Sequence, residues 1–322
     1  MAATAETAGL QAKNILVFGA TGLIGKEILA ALIDAKSKFN RIAIFTSLST
    51  ATNKAATIEK IKAEGINVIV GDIKNEKDVL AAYQDIDTVI SAVGRDVIAD
   101  QIPLIKLADQ TPSVKWFFPS EYGTDIEYGP SSAHERPHQQ KLKVRAALRE
   151  ASSLSYTYVV TGPFADLYVT LGTAGPRGGS FDVKNKTANL LGDGNGRISL
   201  TVMADVGKLV VAALLHPTQS RNRALKVNSY TTTPSEILAE FERQTGGEKW
   251  NNNVTYTPLD ELRELEKQAW ETSSPAATVF TLRRIWTEGG TLYEKRNNAD
   301  IGEPEMETLR DTVGRIIRKQ LA

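Results

Sequence analysis

A chain of 322 residues in which 38 Lys+Arg balance 38 Asp+Glu carries no net charge, so no basic stripe announces a nucleic-acid partner. It has no cysteine, which excludes disulfides, thiolate metal sites, iron–sulfur clusters and a cysteine nucleophile. Its most apolar run, LVVAALL at 209–215, is too short to span a bilayer, and the opening MAATAETAGLQAK lacks the apolar run of a signal peptide. Residues 1–13 therefore read as a disordered leader and the protein as cytoplasmic, with no membrane contact.

From Asn14 onward short apolar runs alternate with helical segments. NILVFG (14–19) is a strand ending in glycine, and KEILAALIDAKS follows as a helix. RIAIFT (41–46) is a second strand, and TIEKIKAEG (57–65) a helix closed by glycine. NVIVGDI (67–73) and DTVISAVG (87–94) are strands around the helical KDVLAAYQ (77–84). QIPLIKLADQ (101–110) leads to the strand VKWFFPS (114–120), and a helix from about Pro137 leads to YTYVVTG (156–162). Buried strands alternating with crossover helices predict an α/β fold, a doubly wound parallel sheet of Rossmann type over 14–161. Ligands of such sheets bind beyond the C-terminal ends of the strands.

Past residue 162 the alternation stops. TGPFADLYVTLGTAGPRGGS is rich in glycine, and TANLLGDGNGRISLTV reads as a hairpin turning on GDGNG. DVGKLVVAALLHP, PSEILAEFERQTGG and LDELRELEKQAW are helical. Residues 162–322 are thus expected to form mainly a second, smaller α+β substrate domain, although strands of this half can return to the main sheet.

GATGLIG (19–25) lies between the first strand and the first helix, with glycines at 19, 22 and 25. Glycine permits the tight exit from the strand, the close approach of a pyrophosphate and the close contact of helix with strand. The helix N-terminus that follows offers free N–H groups to phosphates. This context predicts a dinucleotide held by Gly19, Thr21, Gly22, Leu23, Ile24 and Gly25. NAD sites place an acid at the end of the second strand, but none occurs from Ser37 through Ile58. Thr46, Ser47 and Lys54 could instead meet a 2′-phosphate, which favours NADPH.

HERPHQQKLKVRAALREA (134–151) satisfies the H-E-x-x-H spacing of zinc peptidases. A zinc site needs both imidazoles one turn apart on a continuous helix, whereas Pro137 marks a helix start and leaves His134 in the loop before it. No metal site is expected. At about 100° per residue, Pro137, Val144, Leu148 and Ala151 share one face, with Lys141 near its edge. Arg145, Arg149 and Lys143 project elsewhere. Periodicity leaves two readings of Lys141. Its stem can snorkel to put the ammonium in water, or burial can lower its pKa and suit it to proton transfer.

GATGLIG, SAVG, FFPSEYGTD (117–125), QQKLKVRAAL, YTYVVTGPFADLY (156–168) and LLGDGNGRISLTVMADVGK (190–208) occur in this order. Together they resemble the isoflavone reductase-like family, an atypical branch of the short-chain dehydrogenase/reductases close to the NmrA-like proteins. The likeness covers about 14–215 and thins beyond. It implies NADPH/NADP+ as cofactor and a catalytic lysine matching Lys141, with His138 one turn earlier as a possible assistant. No tyrosine has a lysine four residues later, so the ordinary Tyr-x-x-x-Lys pair is missing.

The resemblance further places Ala92, Val93, Gly94, Pro119 and Ser120 at the cofactor, with Gly162, Pro163 and Phe164 beside the nicotinamide. Glu121, Tyr122 and Tyr168 are the implied substrate residues. Two positions depart from the family, Thr46-Ser47 where many relatives have arginine and Tyr122 where they commonly have Phe. The implied activity is NADPH-dependent reduction of an aromatic or conjugated small molecule (enone, quinone-methide or benzylic ether type) by a monomer or homodimer. A non-catalytic NADP(H) sensor that binds a protein, and an isomerase or cyclase without net reduction, are the alternatives.

Overall fold

The structure, a computed structural model, describes residues 11–172, 174–293 and 295–322. Residues 1–10 of the expected leader lie outside these. Residues 11–13 already belong to the fold, because Ala12 is buried and the N–H of Asn14 donates to the Asp87 carboxylate at 2.7 Å, as does that of Lys13 at 3.1 Å.

In chain order the strands are β1 (Asn14–Phe18), β2 (Arg41–Thr46), β3 (Asn67–Val70), β4 (Thr88–Ser91), β5 (Trp116–Phe118), β6 (Ser155–Val160), β7 (Ser180–Asp182), β8 (Thr187–Leu191), β9 (Ile198–Leu200), β10 (Arg223–Lys226), β11 (Tyr230–Thr232) and β12 (Val254–Thr257). The helices are α1 (Gly25–Asp34), α2 (Leu48–Asn53), α3 (Ala55–Ala63), α4 (Glu76–Ala82), α5 (Gln101–Gln110), α6 (Gln139–Glu150), α7 (Ala165–Tyr168), α8 (Met203–Leu215), α9 (Pro217–Ser220), α10 (Pro234–Gln244), α11 (Leu259–Glu271), α12 (Ala277–Thr287) and α13 (Leu309–Leu321).

The main sheet has the order β10-β6-β5-β4-β1-β2-β3, and each pairing in it is parallel. Successive side chains of a strand face opposite ways, and both sets are apolar here. Ile15, Val17, Ile42 and Ile44 pack with α1 and α8, while Leu16, Phe18, Ala43 and Phe45 pack with α4, α5 and α6. The sheet is thus covered on both faces, as the alternation of elements predicts.

The chain runs outward from β1 to β2 and β3, then returns to β4 on the other side of β1. That reversal opens the crevice beyond the C-terminal ends of β1 and β4. The sequence boundary at 162 is not a boundary of the sheet. β10 extends the sheet beside β6, and α8 lies on α1 so closely that a Cβ at Gly207 would stand 2.3 Å from the Glu27 carbonyl oxygen.

The smaller lobe contains the sheet β12-β8-β7, the pair β11-β9 and helices α10 to α13. Its core includes Phe181, Phe241 and Trp250. The expected hairpin across GDGNG is not formed. β8 pairs with β7 and β12, whereas β9 pairs with β11. Gly192 (φ +64°) and Gly194 (φ +80°) do turn the chain, but they deliver it to a different sheet. Among the described residues no helix is long and apolar enough to cross a membrane.

Candidate active site

A cleft of about 280 Å³ opens beyond the ends of β1 to β4. Its walls include Gly19, Thr21, Thr46, Ser47, Thr50, Gly71, Asp72, Val93 and Gly94. Gly19 sits at φ +74°, and a Cβ there would stand 2.5 Å from the Ala92 carbonyl oxygen, so this turn accepts no side chain. A Cβ at Gly25 would stand 2.0 Å from the Gly19 oxygen, which is how α1 begins so close to the strand exit. At Gly22 an added Cβ would meet only the oxygens of Gly19 and Ala92, at 3.1 and 3.8 Å. Leu23 is exposed and Ile24 packs into the core, so these two offer the cleft only their backbone. A backbone cradle without side chains, opening onto a helix N-terminus, fits the diphosphate of a dinucleotide.

Ser47 caps α2 by accepting from the Thr50 N–H at 3.1 Å, and both residues line the cleft. Lys54 Nζ donates to the Thr21 carbonyl at 2.9 Å, which brings its charge to the glycine turn. The end of β2 supplies hydroxyls and no carboxylate, as the sequence indicates. An acid that the sequence reading did not assign comes from the end of β3 instead. Asp72 accepts from the Lys74 N–H at 2.9 Å, and before it Gly71 has no room for a Cβ, which would stand 2.8 Å from the Phe45 ring. The signal is legible in NVIVGDI as a glycine and an acid directly after an apolar strand-like run.

The second wall leads to Lys141. Ser120 donates through its hydroxyl to the Val93 carbonyl at 2.9 Å, and its N–H donates to Gln101 Oε1 at 2.8 Å. The next residue, Glu121, accepts the Lys141 ammonium on its backbone carbonyl. Lys141 is half-buried, and its ammonium does not float in water. A Cβ at Gly123 would stand 3.6 Å from its Nζ, and the Gly123 carbonyl accepts from the Gly162 N–H at 2.9 Å. Burial, with Arg95 and Arg145 adding repulsion, lowers the Lys141 pKa to about 8 against the opposing Glu121 carboxylate.

The Glu121 carboxylate is buried and takes Arg145 by two parallel bonds, Nε at 2.9 Å and Nη2 at 3.0 Å. Arg145, which helical projection turns away from the core, is itself buried. It donates to Glu127 at 2.6 Å and lies 4.4 Å from the centre of the Tyr158 ring. A paired guanidinium can enter a core that an unpaired one cannot, and apolar periodicity carries no sign of pairing. Tyr122 packs into the layer shared with α1 and α8, and its hydroxyl has no partner among the described residues.

His138 is buried. Its Nδ1 lies 2.8 Å from the Ser132 carbonyl and its Nε2 has no partner among the described residues. Burial depresses its pKa, and the Lys141 charge adds to that. His134 is exposed at the end of a separate 3-10 turn, so the two histidines do not share a helix. Gly162 holds φ +67° where a Cβ would strike the Ser199 carbonyl at 2.8 Å. Pro163 is buried, its carbonyl accepting from the Thr201 N–H, and Phe164 is half-buried on the same track. Tyr168 is buried in the smaller lobe with its ring against Arg283.

Comparison with known proteins gives a consistent picture. The profile of the NmrA-like family matches residues 11–272. A phenylcoumaran benzylic ether reductase of Pinus taeda is 31% identical over 257 residues, 78% of this chain and 80% of that protein. An isoflavone reductase of Medicago sativa is 30% identical over 315 residues, 91% and 93% of the two chains. Among solved structures, a leucoanthocyanidin reductase–NADPH complex from Vitis vinifera superposes with a TM-score of 0.79 at 21% identity, covering 95% of this chain and 99% of that one. An isoflavone reductase crystal structure gives 0.76 at 24%, covering 94% and 99%.

Proposed function

Because the chain belongs to the NmrA-like family, alongside its isoflavone reductase-like members, we propose that it is an NADPH-dependent reductase of an aromatic or conjugated small molecule. The curated relatives that it matches are reductases, and a structural neighbour is a complex with NADPH. The substrate type (enone, quinone-methide or benzylic ether) and the part given to each residue are our own reading. One observation carries it, a half-buried lysine held on the Glu121 carbonyl, next to the residue that ties the cleft wall at Val93.

The residues at hand fit the cofactor. The turn Gly19–Gly25 would take the diphosphate, and Thr46, Ser47 and Thr50, with Lys54 at the lip, would face a 2′-phosphate that no carboxylate of β2 repels. Bound there, NADPH supplies a hydride to an electrophilic carbon of the substrate. Lys141 gives a proton to the substrate oxygen, or holds that oxygen by a charge-assisted hydrogen bond. With a pKa lowered to about 8 the group is mostly ammonium at neutral pH and still a competent acid. Glu121 and Arg145 do not touch the substrate; they fix the loop whose carbonyl aims the ammonium.

Replacing Lys141 by alanine should lower turnover by about 10²–10⁴-fold, the usual worth of a general acid. NADPH affinity, read by fluorescence titration, should stay at the parental value. A K141A variant that turns over at the parental rate would overturn the role given to this residue.

A further inference from the structure

The smaller lobe contains an arginine that no carboxylate among the described residues neutralises. Arg283, on α12, is 2% exposed. Its Nε and Nη1 have no hydrogen-bond acceptor among the described residues, Nη2 reaches the Leu167 carbonyl at 3.3 Å, and the neutral Tyr168 side chain is the guanidinium's other hydrogen-bonding neighbour. The guanidinium lies 4.1 Å from the centre of the Tyr168 ring and 5.7 Å from that of Trp286. Burial pushes it below its usual range, with Tyr168 alone acting against the shift. Aromatic faces offer a cation much less than a carboxylate does, and a guanidinium cannot shed its charge. A buried cation of this kind is costly unless an anion meets it.

Its position links it to the lysine. The Trp286 indole N–H donates to Thr124 Oγ1 at 2.8 Å, one residue beyond the Gly123 that borders Lys141. Arg284, the next residue of α12, binds Glu135 at 2.7 Å, just ahead of the 3-10 turn Arg136–His138 that leads into α6. Helix α12 therefore lies across the loops that hold Lys141. Leu167, whose carbonyl takes Nη2, is itself 43% exposed, so the guanidinium lies close beneath an apolar lip.

Resting on the reductase reading for where the substrate lies, we infer that the substrate is an aromatic carboxylate, its acid group paired with Arg283 and its ring against Leu167. A carboxylate matches the fork of a guanidinium, and Nε and one Nη are the two donors such a pair uses.

The test is calorimetric binding of cinnamate and of its methyl ester to NADP+-loaded protein, in the parent, R283M and R283K. In the parent the acid should bind at least about tenfold tighter than the ester, the scale of a charge-assisted pair. R283M should lose that preference and R283K keep part of it. Thermal melts supply the second readout. Cinnamate should raise the melting temperature of the parent but not of R283M, and R283M without ligand should melt no lower than the parent because a buried unpaired charge has gone. Equal binding of acid and ester, failure of the acid to bind, or a preference that survives in R283M would overturn the inference. So would an R283M that melts well below the parent, and if R283M fails to fold, an R283K with undiminished preference does the same. Acid binding without any reduction would instead sink the reductase reading, and reduction of neutral enones with no preference for acids would sink only this one.

Discussion

The two lobes each bury an arginine to the same depth, 1% exposed for Arg145 and 2% for Arg283, and each guanidinium lies on a tyrosine face at 4.4 and 4.1 Å. Their electrostatics are opposite. Burial works against both cations, yet Glu121 and Glu127 carry Arg145 above its usual range, whereas Arg283 falls below. The sheet lobe balances its buried charge internally and so builds a fixed platform under Lys141. The smaller lobe leaves Arg283 without a carboxylate among the described residues, which is the opening that the inferred acid group would fill. Equal burial of equal side chains therefore says little until the partners are counted.

The strongest way to break this comparison is to remove each guanidinium in turn. Arg145→Met leaves the buried Glu121 carboxylate without its bidentate partner, and losing one half of a buried pair costs about 3–5 kcal/mol. Arg283→Met strands no carboxylate. Urea unfolding of the two variants side by side should show a large drop in midpoint for the first and little or none for the second. Similar losses would mean that both arginines are structural.

The contrast also marks what the sequence could disclose. The strands β1 to β6 and the helices α1, α3, α4, α5, α6, α8, α10 and α11 follow from apolar runs, period and end signals, whereas β10 does not. Lys141 stood out because it sat beside an apolar stripe. Arg145 did not, since its entry into the core depends on Glu121, twenty-four residues away, and pairing at that range leaves no local pattern. The pairing of Glu121 is hidden for the same reason, because a motif gives a residue's place and not which way its carboxylate turns. Arg283 and Trp286 lie where the family likeness thins, and the partners that give them meaning, Tyr168 and Thr124, are distant in the chain. The false hairpin shows the same limit for strands, since a turn is local whereas a pairing partner is not.

A finer test reads the electrostatics of the platform through Lys141, in a variant that also weakens the Glu121–Arg145 pair. If Lys141 acts as the acid, turnover requires the ammonium and should fall as pH rises through about 8. The Glu121 carboxylate favours that ammonium, so Glu121→Gln removes a stabilising negative charge and lowers the lysine pKa further. The alkaline limb of the kcat profile should accordingly move to lower pH, while the backbone carbonyl that holds Nζ is retained. A limb that stays in place, or moves upward, would separate Glu121 from the ionisation of Lys141.

The smallest expected effect lies at the exposed end of the same ion-pair cluster. Arg149 binds the same Glu127 as Arg145 does, at 2.8 and 2.9 Å, but its side chain is 51% exposed where that of Arg145 is 1% exposed. One acid is shared, but Arg145 is also buried and paired with Glu121, whereas Arg149 meets Glu127 in water. An exposed pair is worth only about 0.2–1 kcal/mol, since water already solvates both charges and salt screens them. Arg149→Ala should therefore lower the unfolding free energy by no more than that, and the loss should shrink further in concentrated salt. The Arg145→Met loss should persist there, because ions do not reach a pair inside the core. Were Arg149→Ala as damaging as Arg145→Met, the platform would owe its strength to Glu127 at the surface and not to the pair sealed beneath Lys141.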